Sequence, residues 1–305
     1  MTTTDTLRDA ILDDDLHVTP GVFDALSATI AEREGFDSVY LGGYATGAAT
    51  AATEPMLTLT EMCDRAREIT HATDLPLAVD GGAGYGHPAH TYRAVREFAK
   101  TGVSAVHIED QVYPKRLHYH EGVKHIVPTE EMVAKVEAAA EAVESMPEDV
   151  VVVARTDAGR GQRRETEDED VGDVLERVQA YLDAGAEVAM VFPRSMEELR
   201  YVVDGASGPV MFPVIEGYTP YPTTEELDEA GVDWAVYPIT PTVAATRALV
   251  DSYRSIRDAG VTGVDPHRFE DVRGYIEECI DLPTYYDIEE RAGYKGYEGT
   301  PDTKQ

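Results

Sequence analysis

Residues 150–155 read VVVVAR and residues 104–110 read SAVHIED, and these two stretches decide the fold class. Both are short and mostly apolar, and both end in charged residues, which is typical of strands covered on two faces in a parallel sheet. Six further runs resemble them: HVTPG (17–21), DSVYL (37–41), LPLAVD (75–80), EVAMVFP (187–193), PVMFPVIE (209–216) and VDWAVYP (232–238). The sequence therefore predicts eight strands, most of them continuous apolar runs.

Longer amphipathic stretches alternate with these strands and are predicted to be helices. They cover residues 23–34, 59–73, 90–101, 130–143, 171–184, 197–203, 225–230 and 243–257. Eight strand and helix pairs in about 250 residues indicate an α/β fold of the (β/α)8 TIM barrel type, with a doubly wound sheet as the alternative. We expect one barrel domain over 1–305, with C-terminal oligomerisation helices in 262–292 and a flexible tail in 293–305.

The chain is strongly acidic: 58 acidic and 26 basic residues give it a formal charge of −32. The acidic residues are spread over nearly every predicted helix, and lysine is scarce. This pattern indicates a halophilic protein whose surface repulsion is screened by salt, rather than a binder of one basic partner or a nucleic-acid mimic. It also argues against any direct partnership with nucleic acid.

The sequence predicts a cytoplasmic protein with no membrane partner. No apolar run approaches the roughly 20 residues of a membrane span, and the start MTTTDTLRDAILDDDL lacks the basic and apolar regions of a signal peptide. Cys63 and Cys279 are too few for a disulfide framework or a multi-cysteine zinc site.

Polar and charged residues follow the apolar strands at their ends, where a barrel of this type carries its chemistry. Burying polar and charged side chains in an apolar core costs free energy. We therefore expect these residues to line a solvent-filled, functional opening of the barrel, its mouth. They are Gly42, Gly43, Asp80, His107, Glu109, Asp110, Arg155, Asp157, Arg194 and Glu216. For Asp110 and Asp157 the alternative is that they cap the following helices or face solvent.

Several of these strand ends carry a family resemblance. The stretches are VDGGAGYG (79–86), VHIEDQVYPKR (106–116), VVVARTDAG (151–159), IEGYTPYPTTEEL (215–227) and VYPIT (236–240). Together they resemble the isocitrate lyase and phosphoenolpyruvate mutase superfamily, nearest the methylisocitrate lyase branch. The similarity runs from about residue 19 to residue 275, and its most specific part is HIEDQ followed by KR and then ARTDA.

The resemblance implies a barrel whose last helices are exchanged between subunits, in a homotetramer built as a dimer of dimers. It also implies Mg²⁺ or Mn²⁺ at the strand ends and a reaction through the metal-bound enolate of a 2-oxo acid. Asp80 and Glu109 match metal carboxylates, and Arg155 matches the arginine that grips the substrate carboxylate. The other matches are to substrate-binding positions: Gly42 and Gly43 as backbone donors after Tyr40, and His107 and Glu216 as polar pocket residues.

Four departures from the family pattern put the substrate and the proton donor in question. The sequence reads Asp-Gly-Gly at 80–82 instead of Asp-x-Asp, so one metal ligand is missing. The lyases of the family carry a lid segment with a cysteine that supplies a proton. Here that segment reads KRLHYH at 115–120, with Leu117 in place of the cysteine. A family glutamate is replaced by Arg194, which we count as a substrate-binding candidate, and a family asparagine aligns with Pro213.

The lid offers replacements for what is missing. His118 and His120 fall on the same side of an extended chain, so both could face the mouth and act as acid and base, or one could ligate the metal. A solvated loop without a special role is the alternative. With Lys115 and Arg116 as further catalytic candidates, and with Arg155 and Arg194, the lid predicts a positive mouth that selects a small anion carrying more than one carboxylate.

Three functions fit these residues. The first is a metal-dependent carbon–carbon lyase acting on a small 2-hydroxy or 2-oxo di- or tricarboxylate, similar to methylisocitrate or isocitrate. The second keeps the enolate but ends in decarboxylation, hydrolysis or phosphonate rearrangement. The third is a binding barrel without turnover. The lid residues Lys115 and Arg116 favour the first, Leu117 favours the second, and Gly82 favours the third.

Overall fold

The structure is a computed structural model, and it describes residues 2–13, 15–118, 125–159, 171–218 and 220–294. The chain divides into two compact units, residues 1–245 and 246–305. None of the described helices is long and apolar enough to cross a membrane.

The first unit is a closed barrel of eight parallel strands in sequence order, with β1 paired to β8. The strands are β1 (His17–Val22), β2 (Val39–Leu41), β3 (Leu77–Asp80), β4 (Ala105–Glu109), β5 (Val151–Arg155), β6 (Val188–Met190), β7 (Val210–Pro213) and β8 (Trp234–Tyr237). Each lies within one of the predicted runs or extends it by one residue, so the barrel prediction is confirmed. The doubly wound alternative is wrong, because β1 and β8 close the sheet.

The described residues also form helices. They are α1 (Thr3–Ile11), α2 (Ala25–Arg33), α3 (Gly43–Ala49), α4 (Leu59–Thr70), α5 (Pro88–Ala99), α6 (Thr129–Glu144), α7 (Val171–Asp183), α8 (Met196–Gly205), α9 (Thr224–Asp228), α10 (Thr240–Ala259), α11 (Pro266–Cys279) and α12 (Leu282–Arg291). A 3₁₀ turn, Glu54–Met56, joins α3 to α4. The two helices that the sequence patterns did not predict are α1 and α3.

Helix α1 begins with a capping box in which Thr2 and Asp5 satisfy each other's backbone N–H groups. Its apolar side chains Leu7 and Ile11 are buried and pack with residues of the barrel interior such as Val151. Arg8 forms ion pairs across this end of the barrel. The helix therefore covers the end of the barrel where the strands begin, opposite the strand ends that carry the predicted site.

The second unit holds most of α10 together with α11 and α12. Its helices carry exposed apolar side chains at helical spacing, among them Phe269, Val272, Ile276 and Ile280. These are residues predicted to lie in the oligomerisation helices. The predicted flexible tail falls almost entirely on residues 295–305, which lie outside the described part of the chain.

Candidate active site

The C-terminal ends of β2 to β5 bring the predicted carboxylates and arginine together. Asp80 ends β3, Glu109 ends β4 and Arg155 ends β5. The strand register places Asp80 beside His107 and Glu109 beside Arg155. All four side chains are buried, so the cost of their desolvation has to be met by contacts among themselves.

Asp80 is held by three contacts at the base of the mouth. Its Oδ1 accepts from the Gly82 N–H at 2.8 Å and lies 2.9 Å from Nε2 of His107. Its Oδ2 accepts from the Gly43 N–H at 3.0 Å. Burial by itself would raise the pKa of Asp80, but His107 together with the charges of Lys115 and Arg155 outweighs burial and holds the pKa well below its usual range.

His107 joins Asp80 to Tyr40. The Tyr40 hydroxyl lies 2.9 Å from Nδ1 of His107, and the two rings are stacked. Nδ1 can accept from the tyrosine hydroxyl when the ring proton is on Nε2. Nε2 lies within ion-pair distance of Asp80 but makes no hydrogen bond. Burial, reinforced by the charge of Asp80, raises the pKa of Tyr40 well above its usual range, so its hydroxyl keeps the proton.

Arg155 is fixed by two carboxylates and an aromatic ring. Its Nε and Nη2 donate to the two oxygens of Asp157 at 2.9 and 3.2 Å, and its Nη1 lies 3.1 Å from Glu109 Oε2. Its Cζ lies 4.7 Å from the centre of the Phe192 ring. Asp157 is buried and neither caps a helix nor faces solvent. Its role is to orient Arg155.

Lys115 enters the cluster from the lid and contacts two carboxylates. Its side chain is 6% exposed, and its Nζ pairs with Glu54 and lies 2.9 Å from Glu109 Oε1. Glu54 was not predicted from the sequence, because the 3₁₀ turn that carries it follows no strand. Gly43 leaves room for this side chain, since a Cβ added at Gly43 would come within 2.7 Å of Glu54 Cγ.

The predicted positive mouth is not what the described residues form. Three carboxylates, those of Glu54, Glu109 and Asp157, pair with the cationic side chains of Lys115 and Arg155. A fourth, Asp80, lies beside His107. Without counting His107, the four carboxylates and two cations leave this buried cluster with two net negative charges. An anionic substrate would be repelled there unless a further cation neutralised the carboxylates.

A cavity opens above Arg155. Its empty space, open solvent included, is about 410 Å³. Its lining residues are Tyr40, Gly42, Gly43, Tyr44, Ala45, Glu54, Asp80, Arg155, Met190, Phe192, Pro213, Ile215, Pro238 and Ile239. The family asparagine position is thus occupied by Pro213, an apolar wall residue.

Other predicted site residues lie further out. Arg116 and His118 are exposed on the lid, and His120 lies outside the described residues. Arg194, in the loop that follows β6, pairs with Glu198 of α8. Glu216 is exposed and accepts a hydrogen bond from the Thr240 hydroxyl. Neither Arg194 nor Glu216 lines the cavity.

Comparison with known proteins agrees with this geometry. Residues 7–257 match the phosphoenolpyruvate phosphomutase family. The chain belongs to this family. It is 34% identical to 2,3-dimethylmalate lyase of Eubacterium barkeri, over 90% of this chain and 95% of that protein. It is also 34% identical to 2-methylisocitrate lyase of Aeropyrum pernix, over 93% of this chain and 88% of that protein.

A solved structure of oxaloacetate acetylhydrolase with the inhibitor 3,3-difluorooxalacetate has a TM-score of 0.86 to this phosphomutase family member. The two are 29% identical, and the match covers 97% of this chain and 99% of the other. The predicted superfamily is confirmed, and the named lyases among the relatives confirm an enzyme of the carbon–carbon lyase type. The names of these three similar proteins refer to three different substrates: 2,3-dimethylmalate, 2-methylisocitrate and oxaloacetate.

A second layer of polar contacts supports the site from behind. Asp110 is fully buried and accepts hydrogen bonds from Thr156 Oγ1 at 2.7 Å, the Asp157 N–H at 2.9 Å and the Tyr181 hydroxyl at 2.9 Å. Arg177 Nη1 lies 3.2 Å from its Oδ2. The predicted alternative of a solvent-facing Asp110 is therefore wrong. Burial, with the charge of Asp157, raises the pKa of Asp110 to about 6.

This raised pKa predicts a pH-dependent stability difference between the wild type and Asp110→Asn. The unfolded chain loses the Asp110 proton near pH 3.8, whereas the folded chain keeps it to about pH 6. The wild type should therefore lose about 2 kcal/mol of unfolding free energy relative to the variant as the pH rises from 4 to 7. Denaturant unfolding in molar KCl at several pH values measures this difference, and two parallel stability curves would contradict it.

The residues at the mouth fit a hard divalent cation in their chemistry. Mg²⁺ prefers carboxylate oxygens, keeps several waters and needs only one or two protein carboxylates. Glu109, Glu54 and Asp80 supply such oxygens, and the net negative charge of the cluster favours a cation. Among the described residues, however, no group of three or more histidine, cysteine, aspartate or glutamate side chains is arranged to hold a metal ion.

Proposed function

We propose that the protein is a divalent-metal-dependent carbon–carbon lyase. Its substrate is a small 2-hydroxy or 2-oxo di- or tricarboxylate, similar to methylisocitrate or isocitrate. The observation that carries the proposal is the fixed guanidinium of Arg155, which lines the cavity at the barrel mouth beside three carboxylates suited to a metal. A rigid cation of this kind binds a substrate carboxylate without reorganising.

The residues of the mouth have separate roles in orienting the substrate, stabilising negative charge and excluding water. Arg155 orients a substrate carboxylate and supplies positive charge near the enolate oxygen that forms when the bond breaks. Phe192 and Met190 line the apolar part of the cavity and exclude water from it. The Tyr40 hydroxyl keeps its proton and donates a hydrogen bond to His107 Nδ1 at the cavity wall.

A divalent cation, when bound by Glu109 and Asp80 with Glu54 beside them, would neutralise charge on the substrate oxygens. Asp80 is kept ionised for this by its contacts with His107 and the Gly43 N–H. Arg155 is aligned by Glu109 and Asp157 at the same time. One carboxylate, Glu109, thus serves both the cation site and the substrate arginine.

A second candidate keeps this site and changes the outcome. Leu117, at the lid position where the lyases carry a proton-donating cysteine, is 48% exposed and has no proton to give. A hydrolase, decarboxylase or phosphonomutase that does not rely on a lid cysteine would account for this substitution. The likeness to an oxaloacetate acetylhydrolase structure supports the same alternative.

One screen separates these candidates. The purified protein in molar KCl with Mg²⁺ or Mn²⁺ is given methylisocitrate, isocitrate, 2,3-dimethylmalate, oxaloacetate and phosphonopyruvate in turn. Release of pyruvate or glyoxylate from a 2-hydroxy acid supports the lyase. Turnover of oxaloacetate or phosphonopyruvate alone supports the second candidate, and no turnover of any of them supports a binding barrel. Omitting the metal and adding EDTA is the control for metal dependence.

We further propose a halophilic cytoplasmic homotetramer, a dimer of dimers that exchanges its last helices, with a small anionic carboxylate as its ligand. The exposed apolar side chains of α11 and α12 support an oligomer, because such a stripe is a liability on a monomer in solution. The charge of −32 with few lysines supports adaptation to salt.

The oligomer gives a testable prediction. Light scattering in molar KCl should show a species larger than one chain, and Val272→Gln with Ile276→Gln should shift it towards smaller species, because burying these two side chains stabilises the contact by roughly 1.5–3 kcal/mol each. The control replaces the exposed neighbours Asp271 and Glu278 with glutamine and should leave the mass unchanged. A monomeric wild type would overturn the proposal.

A further inference from the structure

We infer that Lys135 is a positioning residue of the active site: its buried ammonium holds the glycine-rich turn 81–84, and this turn fixes Asp80 and Glu109 at the barrel mouth. The effect on turnover rests on the proposed function, whereas the effect on the turn is measurable on the protein without substrate.

Lys135 is a buried lysine outside the carboxylate cluster. It lies on α6 and is 1% exposed. Its Nζ donates to the Ala83 carbonyl at 3.2 Å, which is its one hydrogen bond within the described part of the chain. Burial lowers the pKa of Lys135, while the charges of Glu131 and Glu109 act against this shift. Since burying an ammonium costs free energy, an apolar residue would suit this position better if packing were its only role.

The turn joins the ends of β3 and β4 by hydrogen bonds. The Gly81 N–H donates to the His107 carbonyl at 2.8 Å, and the Gly82 carbonyl accepts from the Glu109 N–H at 2.9 Å. The Gly82 N–H donates to Asp80 Oδ1 at 2.8 Å. A shift of the turn would therefore move the Asp80 carboxylate and the Glu109 backbone together.

The backbone of the turn needs a stabilising contact. Gly82 and Gly84 have φ of +52° and +75°, and Tyr85 follows with φ of +59°, a region that a side chain makes costly. Ala83 is 3% exposed, and its carbonyl accepts no backbone hydrogen bond from the described residues. A buried carbonyl without a partner costs free energy, so the Lys135 ammonium satisfies it and stabilises the turn in this conformation.

Glu109 extends the effect of the turn to the substrate arginine. Its Oε2 lies 3.1 Å from Arg155 Nη1, and Arg155 and Asp80 both line the cavity. Lys135 does not line the cavity and therefore acts through the turn. A displacement on the order of 1 Å at the reacting groups lowers a rate by about 10²-fold.

The first test follows backbone hydrogen exchange by mass spectrometry, in molar KCl and without substrate. Lys135→Met keeps a linear side chain and removes the ammonium. Exchange in the peptides covering 81–84 and 106–110 should become on the order of tenfold faster, the factor expected when one stabilising hydrogen bond is lost. A peptide from α8 is the internal reference, and its exchange should stay unchanged.

Arg96→Met is the matched control variant. Arg96 lies on α5, and its Nη1 donates at 2.6 Å to the hydroxyl of Ser145, the residue that follows α6. The variant removes a cation that joins α5 to the end of α6 without touching the turn. It should leave the exchange of the turn unchanged.

The second test is steady-state kinetics on the substrate found by the screen. Lys135→Met should lower kcat by about tenfold to 10²-fold. KM should change less, because Asp157 still holds Arg155. Arg96→Met should keep the wild-type kcat, even where its thermal midpoint falls as far as that of Lys135→Met.

The wild-type chain supplies a measurement that needs no variant to fold: exchange at 81–84 as fast as in an unfolded peptide would show that Lys135 does not hold the turn. Equal acceleration of the turn and of α8 in Lys135→Met, or equal effects of the two variants on the turn, would also overturn the inference. Exchange is measured without substrate, so these results do not depend on the proposed lyase. An active enzyme whose Lys135→Met variant keeps the wild-type kcat contradicts the inference and leaves the proposed function standing.

Discussion

Replacing Arg155 with lysine should lower kcat/KM by about 30- to 10³-fold, a loss of about 2 to 4 kcal/mol of transition-state stabilisation. The guanidinium has three neighbours at once: Asp157 along one edge, Glu109 at Nη1 and the Phe192 ring against its face. A single ammonium cannot contact both carboxylates in this geometry and still meet a substrate carboxylate. Steady-state kinetics on the substrate found by the screen measure the loss.

The fold should survive this change, because lysine keeps the positive charge between two buried carboxylates. Far-UV circular dichroism and the thermal midpoint in molar KCl check that the barrel remains intact. Arg67→Lys is the matched control: Arg67 lies exposed on α4 and pairs with Asp64 there, so its replacement should leave the kinetics unchanged. Wild-type kinetics in Arg155→Lys would remove Arg155 from the substrate site.

The strands were predictable because each is a short apolar run that stops at a polar residue. Val151–Arg155 and Ala105–Glu109 are buried along their whole length, so no surface requirement disturbs the pattern. Helix α1 was missed because the strongly acidic flank DDD (13–15) hides the two buried positions Leu7 and Ile11 in an otherwise polar segment.

The site was predicted only where strand order sets it. Asp80, Glu109 and Arg155 meet because neighbouring parallel strands bring their ends together. Glu54 reaches the mouth through the turn after α3, beside the Gly43 backbone and paired with Lys115, and no strand end marks it in the sequence. The neutralisation of Arg155 by Asp157 was equally hidden, since ARTD allows its aspartate to cap, to face solvent or to fold back.

The lid departs furthest from the family pattern, and the structure sharpens the question of its chemistry. A carbon–carbon lyase of this kind must return a proton to the departing enolate. Leu117 cannot deliver it, and Tyr85, at the edge of the carboxylate cluster, holds its proton tightly because burial raises its pKa well above the usual range. Histidine is the side chain whose ordinary pKa suits the task, and the lid sequence carries His118 and His120.

We therefore expect the double variant His118→Gln and His120→Gln to lower kcat by about 10²-fold, with a smaller change in KM. The pH profile of wild-type kcat should have a limb near the imidazole range, roughly 6 to 7, and the variant should lack it. His71→Gln is the control, because His71 is exposed and follows α4 at the opposite end of the barrel. If one of the two histidines instead ligates the metal, excess Mn²⁺ at saturating substrate should restore the rate, whereas it cannot restore a missing proton donor. Wild-type rates and wild-type metal affinity in the double variant would show that the lid histidines take no part, and the proton would then have to come from Tyr85 or from bound water.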